Sequence, residues 1–114
     1  PAVEYDKLEG AEGEPSGKIR SRIATARTRQ AERFRDFPIT TNAEMGLGEI
    51  KQFIRIKDEL KPILKLAHER YQLSARAYHR VLKVSRTIAD LAGSEEIEAP
   101  HLTEALQYRP RVEV

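Results

Sequence analysis

Residues 73–109 read LSARAYHRVLKVSRTIADLAGSEEIEAPHLTEALQYR and contain the strongest helical pattern in the chain. Ser74 is suited to cap the start of a long helix, and Gly93 is suited to end it in a left-handed conformation. A last helix is predicted to begin near Pro100 and to end near Tyr108. Apolar and small residues recur at steps of three and four, which predicts two buried stripes: Tyr78, Val81, Leu82, Ser85, Ile88, Ala89 and Ala92 in the long helix, and Leu102, Ala105 and Leu106 in the last.

A first helix is predicted from Ser16, its cap, to about Arg35. Pro38 ends it, because proline disfavours helical geometry in the residue before it. Gln30 interrupts the apolar positions of this helix, which are Ile19, Ile23, Ala26 and Phe34.

Two shorter helices are predicted between the first helix and Ser74. A connector over residues 39–48 leads into a helix over 47–54, and Asp58 starts a further helix with Pro62 near its beginning. The expected buried residues are Leu47, Ile50 and Phe53 or Ile54 in the former, and Leu60, Ile63, Leu64, Ala67 and Tyr71 in the latter.

The composition is that of one small globular domain. The chain has 114 residues, 39% of them hydrophobic, and no run approaches the roughly 18–20 apolar residues that a membrane span requires. The first residues show no basic segment followed by an apolar one, so we expect no secretory signal, and the absence of cysteine excludes disulfides and thiolate metal sites. We therefore predict an all-α fold, a small helical bundle of about four to five helices, in the cytoplasm and without membrane contact.

Most catalytic motifs are missing from the chain. It has no G-x-x-x-x-G-K-[ST] loop to hold a triphosphate, and no apolar strand ending in paired acids to hold magnesium. It has neither a G-x-S-x-G elbow nor an H-E-x-x-H pair. His68, His79 and His101 lie on three different predicted helices, so we expect no metal site.

One polar face of the long helix could carry chemistry. Arg76, Arg80, Lys83 and Thr87 follow one another at steps of four, three and four, on the side opposite the apolar stripe. Arg76 falls in the first turn, where a cation opposes the helix macrodipole. Presenting a guanidinium to a phosphate would explain that placement. The alternative is a surface arginine whose stem packs on a neighbouring helix.

Charge is distributed unevenly near the start of the chain. An acidic leader precedes a basic first helix: Glu4, Asp6, Glu9, Glu12 and Glu14, followed by Lys18, Arg20, Arg22, Arg27, Arg29, Arg33 and Arg35. The basic helix is either a solvated face or an anion-binding surface. The second possibility would make the chain a stand-alone DNA-binding module, and a protein-interaction module is a further alternative. The arginines are spread around the helix, which disfavours DNA binding.

Residues 73–109 closely resemble the C-terminal segment of the magnesium-chelatase-related ComM (YifB) family of AAA+ ATPases. Upstream stretches are similar to the same family: Pro1-Ala2-Val3-Glu4-Tyr5, Ser16-Gly17-Lys18-Ile19-Arg20, Ala26-Arg27, Arg29-Gln30, Thr41-Asn42-Ala43-Glu44-Met45 and Glu49-Ile50. The resemblance covers nearly the whole chain. It implies a helical lid that closes over ATP at a subunit interface in a ring, with a hexamer as the expected assembly.

The resemblance also implies roles for individual residues. Ser74-Ala75-Arg76 occupies the family's S-x-R position, so Arg76 is the expected sensor-2 arginine that contacts the nucleotide phosphate, and Arg80 is a second candidate ligand of the nucleotide. ATP and Mg²⁺ are expected in the full-length parent, bound by a core that this chain lacks. We expect no activity and no cofactor in this chain alone. The family's role suggests DNA branch migration in competence.

The expected organisation has three parts. Residues 1–15 are a flexible linker that follows the absent core, 16–109 form the lid, and 110–114 are a tail. The expected partners are the AAA+ core of the same chain, other subunits of the ring, and DNA.

Overall fold

The computed structural model describes residues 16–109, which form five α-helices and no strand. The prediction of an all-α bundle of four to five helices is confirmed. The predicted linker 1–15 and tail 110–114 lie outside the described residues. No helix in the described range is long and apolar enough to cross a membrane. The helices are α1 (Ser16–Arg33), α2 (Leu47–Phe53), α3 (Lys61–Tyr71), α4 (Ala75–Leu91) and α5 (Ala99–Gln107), with 3₁₀ turns at Asn42–Glu44 and Asp58–Leu60.

Helix α4 is central, because it packs against α5, α1, α2 and the 3₁₀ turn at Asn42–Glu44. The Oγ atom of Ser74 accepts a hydrogen bond of 3.0 Å from the amide of Ala77, so the predicted cap is confirmed. The predicted apolar stripe is buried or half-buried except at Ala92, which is exposed where the helix ends.

Gly93 ends α4 as predicted. Its φ is 73°, and its amide donates to the carbonyl of Asp90 at 3.0 Å, while the amide of Ser94 donates to the carbonyl of Ala89 at 2.8 Å. These two bonds satisfy carbonyls that the helix end leaves without partners, as in a Schellman motif. The chain can then turn back so that α5 packs against α4.

A single hydrophobic core joins helices α2 to α5 and the turn that follows α1, through the side chains of Phe34, Ile50, Leu64, Val81, Leu82, Leu102, Ala105 and Leu106, among others. The three residues predicted to be buried in α5 are buried. Beyond the end of α5, the guanidinium of Arg109 lies 3.5 Å from the ring centroid of Tyr71 in α3, a cation–π contact between the two helices.

Helix α1 differs from its prediction in three respects. It ends at Arg33 rather than Arg35, because the chain tightens into a turn that brings Phe34 and Phe37 edge-on to the ring of Phe53. Ile23 is 38% exposed rather than buried. Gln30, which interrupts the apolar stripe, is itself buried.

The shorter helices also depart from their predictions. Leu47 is 52% exposed, so the prediction that it is buried is wrong. It lies at the first position of α2, at the edge of the helix rather than over the core. Asp58 starts a 3₁₀ turn, and the α-helix begins three residues later at Lys61. Pro62 thus falls in the first turn of α3, where its missing amide breaks no hydrogen bond.

Candidate functional site

The four residues of the predicted polar face lie in one groove beside α4. Arg76, Arg80, Lys83 and Thr87 line it from α4, and the facing wall comes from α2 and the connector before it. The groove is open and has a volume of about 770 Å³. The prediction that these residues share a face is confirmed, but that face is partly covered rather than turned entirely to solvent.

Arg76 and Arg80 are exposed at the end of the groove where α4 begins. Within residues 16–109, neither guanidinium has a hydrogen-bond or ion-pair partner. No carboxylate is among the described residues that line the groove. Arg76 and Arg80 thus have no counter-charge in the part of the chain that the structure describes, and they lie next to the positive end of a 17-residue helix, which makes a surface suited to phosphate oxygens.

Lys83 and Thr87 have protein partners, unlike the two arginines. The Nζ atom of Lys83 donates to the carbonyls of Ala43 and Met45 at 3.1 and 3.3 Å. The hydroxyl of Thr87 donates to the carbonyl of Lys83 and accepts from Nδ2 of Asn42, both at 3.1 Å. These contacts hold the connector against α4.

A cluster of buried polar side chains lies behind the groove. Asn42 has no exposed surface, and each of its side-chain groups is satisfied. Its Oδ1 accepts from Arg33 at 2.8 Å, and its Nδ2 donates to Asp90 at 2.8 Å as well as to Thr87. Its amide donates to Oε1 of Gln30 at 2.8 Å, which explains why that glutamine is buried. Asn42 therefore joins α1, the connector and α4.

Asp90 is the anion of this cluster. Its carboxylate is buried and lies between two arginines, with Arg33 at 2.8 Å and Arg86 at 3.1 Å. Burial raises the pKa of Asp90, but the hydrogen bonds from Arg33 and Asn42, together with the charges of the two arginines, outweigh it and hold the pKa below its usual value. The buried carboxylate is thus ionised at neutral pH.

Arg86 is buried on the side of α4 that faces the loop before α5. Burial lowers its pKa and the charge of Asp90 opposes that effect. Its Nη1 and Nη2 atoms donate to the carbonyls of Glu95 and Ser94 at 2.9 and 2.8 Å, which fixes the loop after Gly93. Among the described residues, its Nε atom is buried without a hydrogen-bond partner.

The basic helix is in part an intramolecular contact surface. Arg33 binds Asp90, and Nη2 of Arg29 donates to the carbonyl of Gly93 at 3.3 Å. Lys18 and Arg22 line a pocket next to the last turn of α4. That turn contains no basic residue of its own, so cations from α1 complement the negative end of its dipole. The remaining arginines, Arg20, Arg27 and Arg35, are exposed.

The three histidines do not come together. The Nδ1 atom of His101 accepts from the amide of Glu98 at 2.9 Å and so caps the start of α5. His79 lines the groove, and His68 lines a separate pocket between α3 and α4. Across residues 16–109, no group of three or more histidine, aspartate or glutamate side chains is arranged to hold a metal ion.

The chain belongs to the family of the C-terminal domain of magnesium chelatase subunit ChlI, whose model matches residues 13–109. It is 43% identical over 103 residues to competence protein ComM of Haemophilus influenzae, and 39% identical over 97 residues to uncharacterized protein YifB of Escherichia coli. These matches cover 90% and 85% of this chain, but only 19% and 18% of the relatives. The chain thus corresponds to the C-terminal domain of a ComM-like protein, and the resemblance noted from its sequence is confirmed.

Five residues of the polar cluster were not identified as functional from the sequence: Gln30, Arg33, Asn42, Arg86 and Asp90. One signal was present. Arg86 and Asp90 are four residues apart, which is the spacing of a helical ion pair, and each directly follows a residue of the predicted buried stripe, Ser85 and Ala89. Nothing in the sequence indicated that Arg33 and Asn42 would meet them.

Proposed function

We propose that this chain is the lid domain of an AAA+ ATPase of the ComM type and that Arg76 contacts the phosphates of bound ATP. The observation that carries the proposal is the position of Arg76. It is exposed, in the first turn of α4, and without a partner in residues 16–109. A cation there opposes the helix dipole unless an anion binds beside it. The proposal is also supported by the neighbouring Arg80, and by the absence of a carboxylate among the described residues that line the groove.

In this proposal Arg76 donates its planar fork of N–H groups to oxygens of the γ-phosphate. During phosphoryl transfer the guanidinium and the start of α4 stabilise the negative charge that those oxygens carry. Arg80, one turn further along, adds a second positive charge to the groove. ATP and Mg²⁺ supply the phosphoryl group and its charge neutralisation when bound, and they are held by core residues outside this chain.

The proposed setting is a cytoplasmic ring, with a hexamer as the expected assembly, in which the lid contacts the AAA+ core of its own chain. The name of the Haemophilus relative links that protein to competence. We extend the link to this chain as a proposal: its parent drives remodelling of DNA during uptake, by branch migration.

Nucleotide affinity tests the site. In the full-length protein, we expect Arg76→Ala to weaken binding of a fluorescent ATP analogue by about tenfold, because a hydrogen bond between charged groups is lost. Arg80→Ala should have a smaller effect. Arg27→Ala is the matched control, since Arg27 is exposed on α1, away from the groove. Equal affinities for the wild type, Arg76→Ala and Arg27→Ala would refute the proposal.

The exposed basic residues in and just after α1 support a second candidate, binding of DNA backbone by Arg20 on α1 and Arg35 in the turn that follows it. Such binding would weaken steeply with salt, because each phosphate contact releases counterions. The two candidate functions can be distinguished by measuring the affinity of this chain for duplex DNA at several salt concentrations. If Arg20→Ala and Arg35→Ala reduced a steep dependence of the affinity on salt, this second function would be favoured.

A further inference from the structure

Lys83 and Thr87 lie on the same face of α4 as Arg76 and Arg80, and at first sight all four could bind the same anion. Their contacts divide them into two pairs. The arginines have no partner within residues 16–109, whereas Lys83 and Thr87 bond to the connector that forms the opposite wall. The two pairs therefore have different tasks.

The lysine closes the connector onto α4. Its ammonium group donates to the carbonyl of Ala43 and to the carbonyl of Met45, and so spans the end of the 3₁₀ turn at Asn42–Glu44. A cation next to carbonyls at the end of a helical turn is electrostatically favourable. Two of the three N–H groups of Lys83 are engaged in this way, whereas Arg76 and Arg80 have no partner within residues 16–109.

The threonine adds a second attachment at Asn42, the residue before Ala43 in the connector. Its hydroxyl accepts from the side-chain amide of Asn42, whose other side-chain hydrogen bonds are with Arg33 and Asp90. The position of the connector is thus tied both to the groove and to the buried cluster. Met45, buried at the base of the groove, moves with it.

We propose that Lys83 and Thr87 are positioning residues. Their hydrogen bonds to the connector, which we call the clip, hold that wall of the groove against α4 and so set the width of the groove. The expected effect on ligand binding rests on the proposed function. Although Lys83 and Thr87 do not contact the phosphate, a wider groove would hold it less tightly at Arg76. The clip itself does not depend on which ligand binds.

The chain offers a direct probe of the clip. The amide of Met45 donates to the carbonyl of Asn42 at 3.1 Å, so its hydrogen exchange reports on the connector. Met45 is also the only methionine in the chain, which gives one resonance when methionine methyl groups are labelled with ¹³C. The amide of Leu102 in α5, bonded to the carbonyl of Glu98, serves as a reference for the rest of the fold.

We expect Lys83→Leu and Thr87→Val to speed exchange at Met45 by about tenfold, because a bond that holds the turn is lost, while Leu102 is unaffected. The Met45 methyl resonance should shift or broaden in the same variants. Lys83→Arg and Thr87→Ser keep the donors and the hydroxyl, so both should behave like the wild type. Faster exchange at both amides would mean loss of overall stability, and unchanged exchange at Met45 would mean that there is no clip. Either result overturns the proposal.

The effect of the clip on ATP binding is tested separately, in the full-length protein. Lys83→Leu should raise the KM for ATP by about tenfold and leave kcat within about twofold, whereas Arg76→Ala should lower kcat. If Lys83→Leu raised KM without changing exchange at Met45, Lys83 would be a ligand rather than a positioning residue, and the inference would be wrong. If Arg76→Ala had no effect, the proposed function would fail while exchange at Met45 still decided the clip.

Discussion

The guanidinium of Arg33 on α1 meets the carboxylate of Asp90 on α4 in two parallel hydrogen bonds, from Nη1 to Oδ2 and from Nη2 to Oδ1, each 2.8 Å long. The Asp90 side chain is completely buried, and that of Arg33 is 16% exposed. The pair fixes α1 to one end of α4, and Arg76 lies at the other end, about 21 Å away along the helix. Helix α4 therefore connects the candidate phosphate site to the first helix as one rigid element.

Breaking this pair should destabilise the fold strongly. In Arg33→Met, Asp90 loses two charge-assisted hydrogen bonds and stays buried, so we expect a loss of about 3 kcal/mol in the free energy of unfolding. Urea denaturation followed by circular dichroism measures it. Arg27→Met, an exposed position on the same helix, should change stability by less than about 0.5 kcal/mol. Similar values for the two variants would contradict the structural role of the pair.

The carboxylate of Glu44 should make stability depend on pH. It accepts from the amides of Thr40 and Thr41, both at 3.0 Å, and from their hydroxyls, and these bonds lower the pKa of Glu44 from its usual 4.5. Since the pKa is lower in the folded chain than in the unfolded one, the stabilisation is complete above pH 4.5 and disappears as pH falls through the folded-state value.

We therefore expect wild type to be more stable than Glu44→Gln at neutral pH, with a difference that shrinks as the solution is acidified below 4.5. Unfolding curves of both proteins across that range measure the difference. If the two free energies of unfolding changed with pH in parallel, the hydrogen bonds to Glu44 would carry no net stabilisation.

Substitution by alanine should change the stability of the fold in opposite directions at two glycines. Gly93 has a φ of 73°, and a Cβ atom there would meet nothing within 4 Å, so Gly93→Ala should lose about 1 kcal/mol through the backbone alone. Gly48 lies inside α2, again with open space around it, and Gly48→Ala should gain about 0.5 kcal/mol. Thermal unfolding of both variants checks this. A stabilised Gly93→Ala would show that the left-handed turn is not required.

Local signals in the sequence predicted much of the fold. Ser74 and Gly93 delimit α4 because a serine cap and a left-handed glycine act on the few residues around them. The steps of three and four in α4 and α5 predicted their buried faces for the same reason. The prediction that Leu47 is buried failed because this residue lies at the edge of α2. Periodicity alone does not say where the core ends.

The polar cluster could not be predicted in the same way. Arg33, Asn42 and Asp90 are far apart in sequence, and charged residues are normally placed on the surface. Their burial depends on three elements meeting at one point, which helical periodicity does not encode. The sequence did indicate that Arg76 and Arg80 lie side by side, because both belong to one helix and are four residues apart. The sequence did not show that the residues of this polar face differ in their contacts. Within residues 16–109, Lys83 bonds to the connector whereas Arg76 and Arg80 have no partner, and this depends on where the connector lies in the fold.

Hydrolysis by the Arg76→Ala variant at saturating ATP tests the central claim most directly. In the full-length protein, with the fold checked by circular dichroism and with Arg27→Ala as the control, we expect kcat to fall by about a hundredfold, because a cation that stabilises the transferring phosphate is removed. A kcat equal to that of Arg27→Ala would contradict the account. Arg76 would then be a surface residue, and DNA binding by α1 would become the leading explanation of the charge on this domain.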